Sequence, residues 1–327
     1  MTLRAHPLKV AVAGAGFAGL ATASLLARAG HQVTVFEKFA SPQSVGAGIL
    51  VQPSGLAAMA VLGIADEVLA HGARVDPWGA AWAVLDDPHA SYGCTLWQWY
   101  RSAGQMLGVM PTGRAPGRAT PVVSLFWSLH ADRFAAWQET GLAAFKREVL
   151  ALHPGCGALL EQLQSMEQLT WARYHDVTMP AYHRGRCVVV GDAAHATSPQ
   201  LGQGTNLALL DAVVLADCLA DSVAERGTVL DALARYTRAR RPHLHFYGQA
   251  SRWLTPLFQS DLRALPWLRD LLMRTACSLP VAGALTRQTL VGMRAGWLPS
   301  SVLDLSRFNG ELRPHPASAG LARPYPE

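Results

Sequence analysis

The stretch that decides the fold is VAVAGAGFAGLATASLLARAGHQVTVFEK, residues 10–38. A short apolar run ended by glycine predicts a buried strand over residues 8–13. Residues 17–29 predict a helix that stops at Gly30, and residues 33–36 predict a second strand. Strand, helix and strand in this order and at this length predict a βαβ unit, in which the two strands are parallel.

Three glycines in this unit have the spacing G-x-G-x-x-G, which is typical of dinucleotide-binding proteins. Gly14 permits the tight turn after the first strand, Gly16 lets a pyrophosphate approach the backbone, and Gly19 lets the helix pack close to the sheet. The start of the helix offers N–H groups and a positive dipole end to phosphates. The residues predicted to contact the cofactor here are Gly14, Gly16, Phe17, Ala18 and Gly19.

An acidic residue ends the second strand, as the fingerprint requires. Glu37 is placed to accept hydrogen bonds from the ribose hydroxyls of the adenosine half, and its neighbour Lys38 is included in the predicted site. This first motif does not separate FAD from NAD, because both cofactors contain the same adenosine half.

A second motif lies far downstream, in RCVVVGDAAHATSPQLGQGTNLALLDAVVLADCL, residues 186–219. It predicts a continuous apolar strand over 187–190, then Gly191-Asp192, a short loop, and a helix over about 205–222. An acid at a strand end can bind a sugar-like hydroxyl, and a glycine-rich helix start can receive partial negative charge. Together they suit a ribitol chain and a flavin ring that becomes anionic when reduced. The second motif therefore favours FAD.

The two motifs together resemble the class A flavoprotein monooxygenases, which share the p-hydroxybenzoate hydroxylase fold. The resemblance rests on GAGFAGL, Glu37, GAGI at 46–49 and GDAAHATSPQLGQGTN at 191–206, and it covers about residues 8–250. It implies that Asp192 binds the ribitol and that Pro199 lies beside the flavin ring. The further cofactor contacts that it implies are Gly48, Gly191, Gly202, Gln203, Gly204, Thr205 and Asn206.

The expected fold class is α/β, with a Rossmann-like FAD-binding domain, an inserted β-sheet substrate domain and a helical C-terminal region. The FAD-binding domain is split between residues 1–76 and 180–250. The substrate domain occupies 77–179, where β-prone, tryptophan-rich runs predict an antiparallel sheet. The C-terminal region, 251–327, is expected to be helical. From residue 228 onward, prolines at 242, 256, 266 and 280 are expected to break the helices.

The resemblance implies hydroxylation of an aromatic or related small molecule with NAD(P)H and O2, through a C4a-hydroperoxyflavin. No catalytic side chain is predicted, because the flavin carries the chemistry. Two alternatives stay open: a flavin reductase or dehydrogenase of the same fold, and a shortened, catalytically impaired FAD-binding paralogue. The second arises because the family has an Asp-Gly motif and this chain has no such dipeptide. The segment that should carry it looks missing near Asp76 and Pro77.

Several other residues have competing interpretations. His195 is more consistent with a histidine satisfied within its loop than with a proton shuttle. The run TRARRP at 237–242 favours a solvated helix face over an anion-binding patch. The Trp97-Gln98-Trp99 segment lacks the rest of a flavin halogenase signature. An aromatic substrate pocket and a plain sheet core are equally good interpretations of Trp97, Trp99, Met106, Met110 and Phe126.

Composition sets the remaining limits. Half of the residues are hydrophobic, 16% are charged and the net charge is +5, which predicts a globular core and gives no sign of nucleic-acid binding. The five cysteines form no C-x-x-C pair, so reduced thiols and a cytoplasmic location are expected, with no metal site. The chain has no apolar run long enough to predict a transmembrane segment. The sequence leaves the oligomeric state open.

Overall fold

The structure is a computed structural model, and it describes residues 7–40, 51–71, 81–102, 105–115, 117–128, 134–170, 177–197, 201–224, 227–258, 279–298 and 300–303. Among the described residues, no helix is both long and apolar enough to cross a membrane.

The N-terminal unit has the predicted βαβ arrangement. Strand β1 (Lys9–Ala13), helix α1 (Phe17–Arg28) and strand β2 (Gln32–Phe36) follow one another. The two strands are parallel, in a register that runs from Lys9 opposite Gln32 to Ala13 opposite Phe36. The prediction from the glycine pattern is therefore confirmed in order, type and approximate bounds.

Two short helices follow in the next described segment. Helix α2 (Pro53–Leu62) ends at Gly63, whose φ of 76° is left-handed, and α3 (Ala65–His71) begins after it. A glycine at this position ends a helix readily because it adopts the left-handed conformation without steric cost. The two helices are therefore separated by Gly63 and Ile64.

A four-stranded antiparallel sheet forms the middle of the chain, as predicted. Its strands are β3 (Ala81–Asp86), β4 (Trp97–Ser102), β5 (Gln105–Gly113) and β6 (Val122–Trp127), in the spatial order β3-β6-β5-β4. Helices α4 (Phe134–Leu152) and α5 (Gly157–Glu161) cover one face of the sheet. Phe145 and Val149 of α4 are fully buried against Leu107 and Leu125 in this core.

The predicted strand over 187–190 is shorter than expected. Strand β7 (His183–Arg184) pairs antiparallel with β8 (Cys187–Val188), and the turn between them contains Gly185 at a φ of 55°. The chain folds back on itself here, so only two residues of the apolar run join a strand. The prediction of a continuous strand is wrong beyond Val188, although Val189 and Val190 still pack against the core.

Four helices complete the described chain: α6 (Asp192–His195), α7 (Gly204–Ala224), α8 (Val229–Phe258) and α9 (Pro280–Leu290). Helix α7 confirms the predicted helix over about 205–222, and its apolar residues belong to two separate core clusters. It is therefore buried on opposite sides.

The prolines affect the helices less than expected. Helix α8 continues through Pro242 and Pro256, so the prediction of breaks there is wrong. Pro242 and Arg238, whose carbonyl loses its helical partner, are both exposed, and water can satisfy that carbonyl. Pro280 begins α9, where a missing N–H costs nothing. Pro266 and the residues after 303 lie outside the described part of the chain.

Candidate functional site

The glycine-rich turn leaves open space above the start of α1. Gly16 precedes the helix, and no side chain caps it. Among the described residues, methyl groups built on Gly14 and Gly16 would meet nothing within 4 Å, whereas one on Gly19 would lie 2.0 Å from the carbonyl oxygen of Gly14. The first two glycines thus border free space, and the third is required for close packing. Uncapped N–H groups beside such a space fit a pyrophosphate.

Glu37 stands beside this turn. Its Oε2 accepts a 2.7 Å hydrogen bond from the backbone N–H of Ala15, and its Oε1 accepts one of 3.1 Å from Phe39. The bond from Ala15, followed by the one from Phe39, lowers the pKa of the Glu37 carboxyl. An exposed carboxylate is therefore held next to the open space, where the fingerprint expects the ribose.

The second motif touches the first at Gly191. This glycine precedes α6 with a φ of 63°, and a methyl group built on it would lie 2.8 Å from Cβ of Ala18 and 3.5 Å from Cβ of Ala208. Because Ala18 belongs to the first turn of α1, the absence of a side chain at residue 191 lets the two motifs meet. Residues far apart in sequence thus form one contiguous surface.

Asp192 lies between the two helix starts. Its side chain is exposed, and a methyl group built on Gly204 would lie 3.8 Å from its Oδ1. The carboxylate therefore stands beside the first residue of α7. An exposed acid next to a helix start, in contact with the α1 region through Gly191, is the arrangement that a ribitol chain between pyrophosphate and flavin ring would need.

The side chains of Gln203 and Asn206 point into the protein. Asn206 is fully buried, its Oδ1 accepts a 2.8 Å bond from Gln52 N, and its Nδ2 donates to Gly202 O at 3.1 Å. Gln203 Nε2 donates to Leu290 O at 2.7 Å. Both amides thus fasten the start of α7 to α2 and α9.

Sequence reasoning missed a buried charge network directly below the second motif. Asp211 lies within helix α7 and is fully buried. Its Oδ2 accepts bonds from Gly191 N at 2.8 Å and from His195 Nε2 at 2.6 Å. Its Oδ1 accepts a 2.7 Å bond from Nε of Arg240, which is only 1% exposed. The carboxylate therefore has three donors.

Helix α8 extends the network to the end of α9. Nη1 of Arg240 lies 2.7 Å from Nδ1 of His243, and Nε2 of His243 lies 3.0 Å from the carbonyl oxygen of Gly292. Since the guanidinium only donates, Nδ1 of His243 accepts and Nε2 carries the proton. Burial, and next the charge of Arg240, lower the pKa of His243 to about 3. The ring is therefore a neutral link between α8 and Gly292.

The ionisation of Asp211 follows from the same contacts. Burial by itself would raise the pKa of this carboxyl, but the charges of Arg240 and His195 and the hydrogen bonds outweigh it, and they lower the pKa to about 2.

The same network bears on two interpretations of the sequence. His195 is a buried histidine whose Nε2 bonds Asp211 on α7 and not a group within its own loop, and among the described residues its Nδ1 has no hydrogen-bond partner. The run 237–242 is a solvated face except at Arg240, which is a buried ion-pair partner.

The aromatic residues of the sheet divide between its two faces. Met106, Met110 and Phe126 are buried together with Leu96 on the face opposite α4. Trp99 packs on the α4 face, where its ring stacks on that of His153 with centroids 4.0 Å apart. The tryptophans of β4 therefore do not share a pocket with the methionines.

Some predicted site residues cannot be placed. Gly48, Pro199 and the junction at Asp76 and Pro77 lie outside the described residues. In the part of the chain that is described, no cluster of three or more His, Cys, Asp or Glu side chains could hold a metal ion.

A parallel βαβ unit with an open glycine turn and an anchored acid defines a nucleotide-binding protein. The sequence matches the model of the "FAD binding domain" family over residues 7–106 and 145–249. The chain belongs to this family, and FAD is its cofactor.

Curated relatives carry related names. Salicylate hydroxylase of Pseudomonas putida is 39% identical over 101 residues, which are 31% of this chain and 23% of that protein. The 6-hydroxynicotinate 3-monooxygenase of Pseudomonas fluorescens is 30% identical over 146 residues, 44% of this chain and 36% of that protein. The chain thus matches only a minor part of each relative's length.

Solved structures confirm the fold. The crystal structure of PqsL from P. aeruginosa in complex with 2-aminobenzoylacetate has a TM-score of 0.65 at 16% identity, covering 80% of this chain and 99% of that one. Klebsiella pneumoniae HpxO, complexed with FAD and uric acid, has a TM-score of 0.67 at 18% identity, covering 87% and 97%. The predicted α/β FAD-binding fold and the resemblance to FAD-dependent monooxygenases are confirmed.

Proposed function

We propose that this protein is an FAD-dependent monooxygenase that hydroxylates an aromatic or related small molecule with NAD(P)H and O2. The observation that carries the proposal is the contact of the two motifs at Gly191, which joins an adenosine-binding turn and a ribitol-binding turn in one surface. The names of the relatives support the reaction class. A cytoplasmic location is part of the proposal and rests on the cysteine pattern.

The chain's residues divide the task of holding FAD. The N–H groups at the start of α1 receive the pyrophosphate, and Glu37 holds the ribose hydroxyls. Asp192 holds a ribitol hydroxyl, and the backbone at the start of α7 faces the flavin ring with its positive dipole end. When bound, FAD supplies hydride acceptance from NAD(P)H and activation of O2. The residues present fit these roles.

The buried face of the sheet supplies the substrate pocket in this proposal. Met106, Met110 and Phe126 present sulfur and aromatic surface, which packs well against an aromatic ring. Gly108 lies among them on β5, and the nearest atoms to a methyl group built there would be Sδ of Met106 and Cβ of Phe126, each at 3.5 Å. In this proposal Gly108 forms a flat part of the pocket wall between Met106 and Phe126. An apolar surrounding also keeps water from the reacting atoms.

Ligand-stimulated turnover tests the proposal. The FAD-loaded protein is mixed with NADH or NADPH and a panel of phenolic, pyridine and quinoline carboxylates, while O2 consumption and product mass are followed. A monooxygenase shows NAD(P)H oxidation that rises with one ligand class and yields a hydroxylated product. NAD(P)H oxidation with an added dye acceptor but no hydroxylated product identifies a reductase or dehydrogenase instead.

A further inference from the structure

The single helical turn that carries Asp192 is held at both ends by one carboxylate oxygen. Gly191 precedes α6, and its N–H donates to Oδ2 of Asp211 at 2.8 Å. His195 is the last residue of α6, and its Nε2 donates to the same oxygen at 2.6 Å. Asp192 lies between them and is exposed to solvent, and no described residue anchors its side chain in a comparable way.

Asp211 is itself held rigidly. Its second oxygen accepts from Nε of Arg240, and Nη2 of Arg240 donates to the carbonyl oxygen of Leu207 on the same helix as Asp211, at 3.2 Å. His243 then links Arg240 to Gly292. The α6 turn, α7, α8 and Gly292 are thus joined in one network around the Asp211 carboxylate, and the charge-assisted bonds at its centre favour a fixed geometry.

We infer that Asp211, fixed by Arg240, is a positioning residue that sets Asp192 at the ribitol of FAD by holding both ends of the α6 turn. The inference rests on FAD binding and does not depend on the proposed hydroxylation. The turn needs such a clamp because Gly191 has a positive φ. Glycine adopts positive and negative φ about equally well, so its own preference does not fix this conformation. Without the clamp, the glycine can adopt its other conformations and carry Asp192 away from the cofactor.

A positioning role predicts a selective effect that general loss of stability does not produce. The adenosine half of FAD contacts the α1 turn and Glu37, whereas the ribitol contacts Asp192. Releasing α6 should therefore weaken FAD and leave ADP binding at the α1 turn intact. The ratio of the two dissociation constants separates the roles, and neither constant requires turnover.

The decisive variant is Asp211→Asn. An asparagine has one acceptor oxygen, so it cannot accept from Arg240 and also from both ends of α6. We expect the FAD dissociation constant to rise about tenfold or more, with ADP affinity within about twofold of the unsubstituted protein, both by titration calorimetry. Arg240→Lys keeps a positive charge beside the carboxylate, so its selective loss of FAD affinity should be smaller.

Leu160→Ala is the matched control. It opens a cavity in the sheet-and-helix core, where Leu160 is 2% exposed, and lowers the melting temperature without touching the network. Selective loss of FAD affinity in Asp211→Asn but not in Leu160→Ala supports the inference. Unchanged affinities, or equal losses of FAD and ADP affinity, overturn it. If Asp211→Asn does not fold, the FAD-to-ADP ratio of Arg240→Lys against that of Leu160→Ala gives the same decision.

Discussion

Gly191 approaches Ala18 so closely that a methyl group on the glycine would lie 2.8 Å from the Ala18 Cβ. Non-bonded carbon atoms prefer a separation of roughly 3.5–4.0 Å, so no side chain fits at residue 191 without moving α1 or the second motif. The contact explains how two motifs separated by most of the chain form one cofactor site. Several measurable consequences follow from this contact and from the network below it.

Gly191→Ala should separate the two motifs. The substitution adds the clash with Ala18 to the strain of a left-handed φ, which costs about 1–2 kcal/mol for an L-residue. FAD affinity should fall about tenfold or more, and the melting temperature should drop as well. Absorbance titration with FAD and thermal unfolding measure the two effects.

Gly185→Ala is the control for that experiment. Gly185 also has a left-handed φ, 55°, but a methyl group there would meet no described atom within 4 Å. It should share the backbone strain and lose stability, while FAD affinity stays unchanged. Equal loss of FAD affinity in the two variants would show that strain, and not the approach to Ala18, is responsible.

Asp192→Ala and His195→Ala should have different principal effects. Asp192 is exposed, so its loss should leave stability nearly unchanged but remove a charge-assisted bond to FAD worth about 1.5–3 kcal/mol. Loss of His195 removes one donor from the buried Asp211 and should cost about 1–3 kcal/mol of stability. FAD affinity should fall more in the Asp192 variant. The roles are misassigned if His195→Ala folds normally and binds FAD more weakly than Asp192→Ala.

His243 should make the protein less stable in mild acid. Its pKa is about 3 in the folded protein, well below the ordinary value of 6.5, so the unfolded chain takes up a proton that the folded protein refuses. The contribution of neutral His243 to the free energy of unfolding is therefore fully present above about pH 6.5. Below that pH it falls by up to about 1.4 kcal/mol per pH unit.

His243→Gln removes this titration while retaining an acceptor and a donor for Arg240 and Gly292. Urea denaturation at about pH 7, 6 and 5 should show the stability advantage of the unsubstituted protein shrinking by about 1–2 kcal/mol across the series. A constant difference between the two proteins at all three values would show that His243 is not held neutral by the fold.

Gly108→Leu tests the proposed substrate pocket. A leucine at this position would occupy the space between Met106 and Phe126, whereas an alanine would make only ordinary contacts at 3.5 Å. KM for the aromatic substrate should rise about tenfold or more in Gly108→Leu, with FAD affinity unchanged, and Gly108→Ala should change it much less. If Gly108→Leu folds, binds FAD and keeps the original KM, the substrate lies elsewhere.

The local parts of this structure could be predicted from sequence. The βαβ unit follows from the glycine spacing around Gly14 and from apolar runs whose hydrogen bonds are made within a few tens of residues. The strand predicted over 187–190 ends early, at Val188, because strand pairing depends on a partner that the apolar run itself does not specify, and the turn at Gly185 supplies a short one.

Asp211 shows why the network could not be predicted. The helical spacing gives it only as a polar position, and its partner Arg240 lies on another helix within a run of basic residues. One signal was available: Leu209, Leu210, Ala212 and Val213 surround Asp211 on both sides and all are buried. An acid inside a helix that is apolar all round must be paired. The identity of the pair still required the tertiary fold.

The central claim is tested most directly by the origin of the oxygen in the product. The FAD-loaded protein is mixed with NAD(P)H, its best aromatic ligand and ¹⁸O-labelled O2. The mass of the product is determined by mass spectrometry, and hydrogen peroxide is quantified in the same reaction. The account predicts a hydroxylated product that carries one labelled atom, together with peroxide from uncoupled turnover. Peroxide that accounts for all the O2 consumed, or a product whose oxygen comes from water, would contradict it.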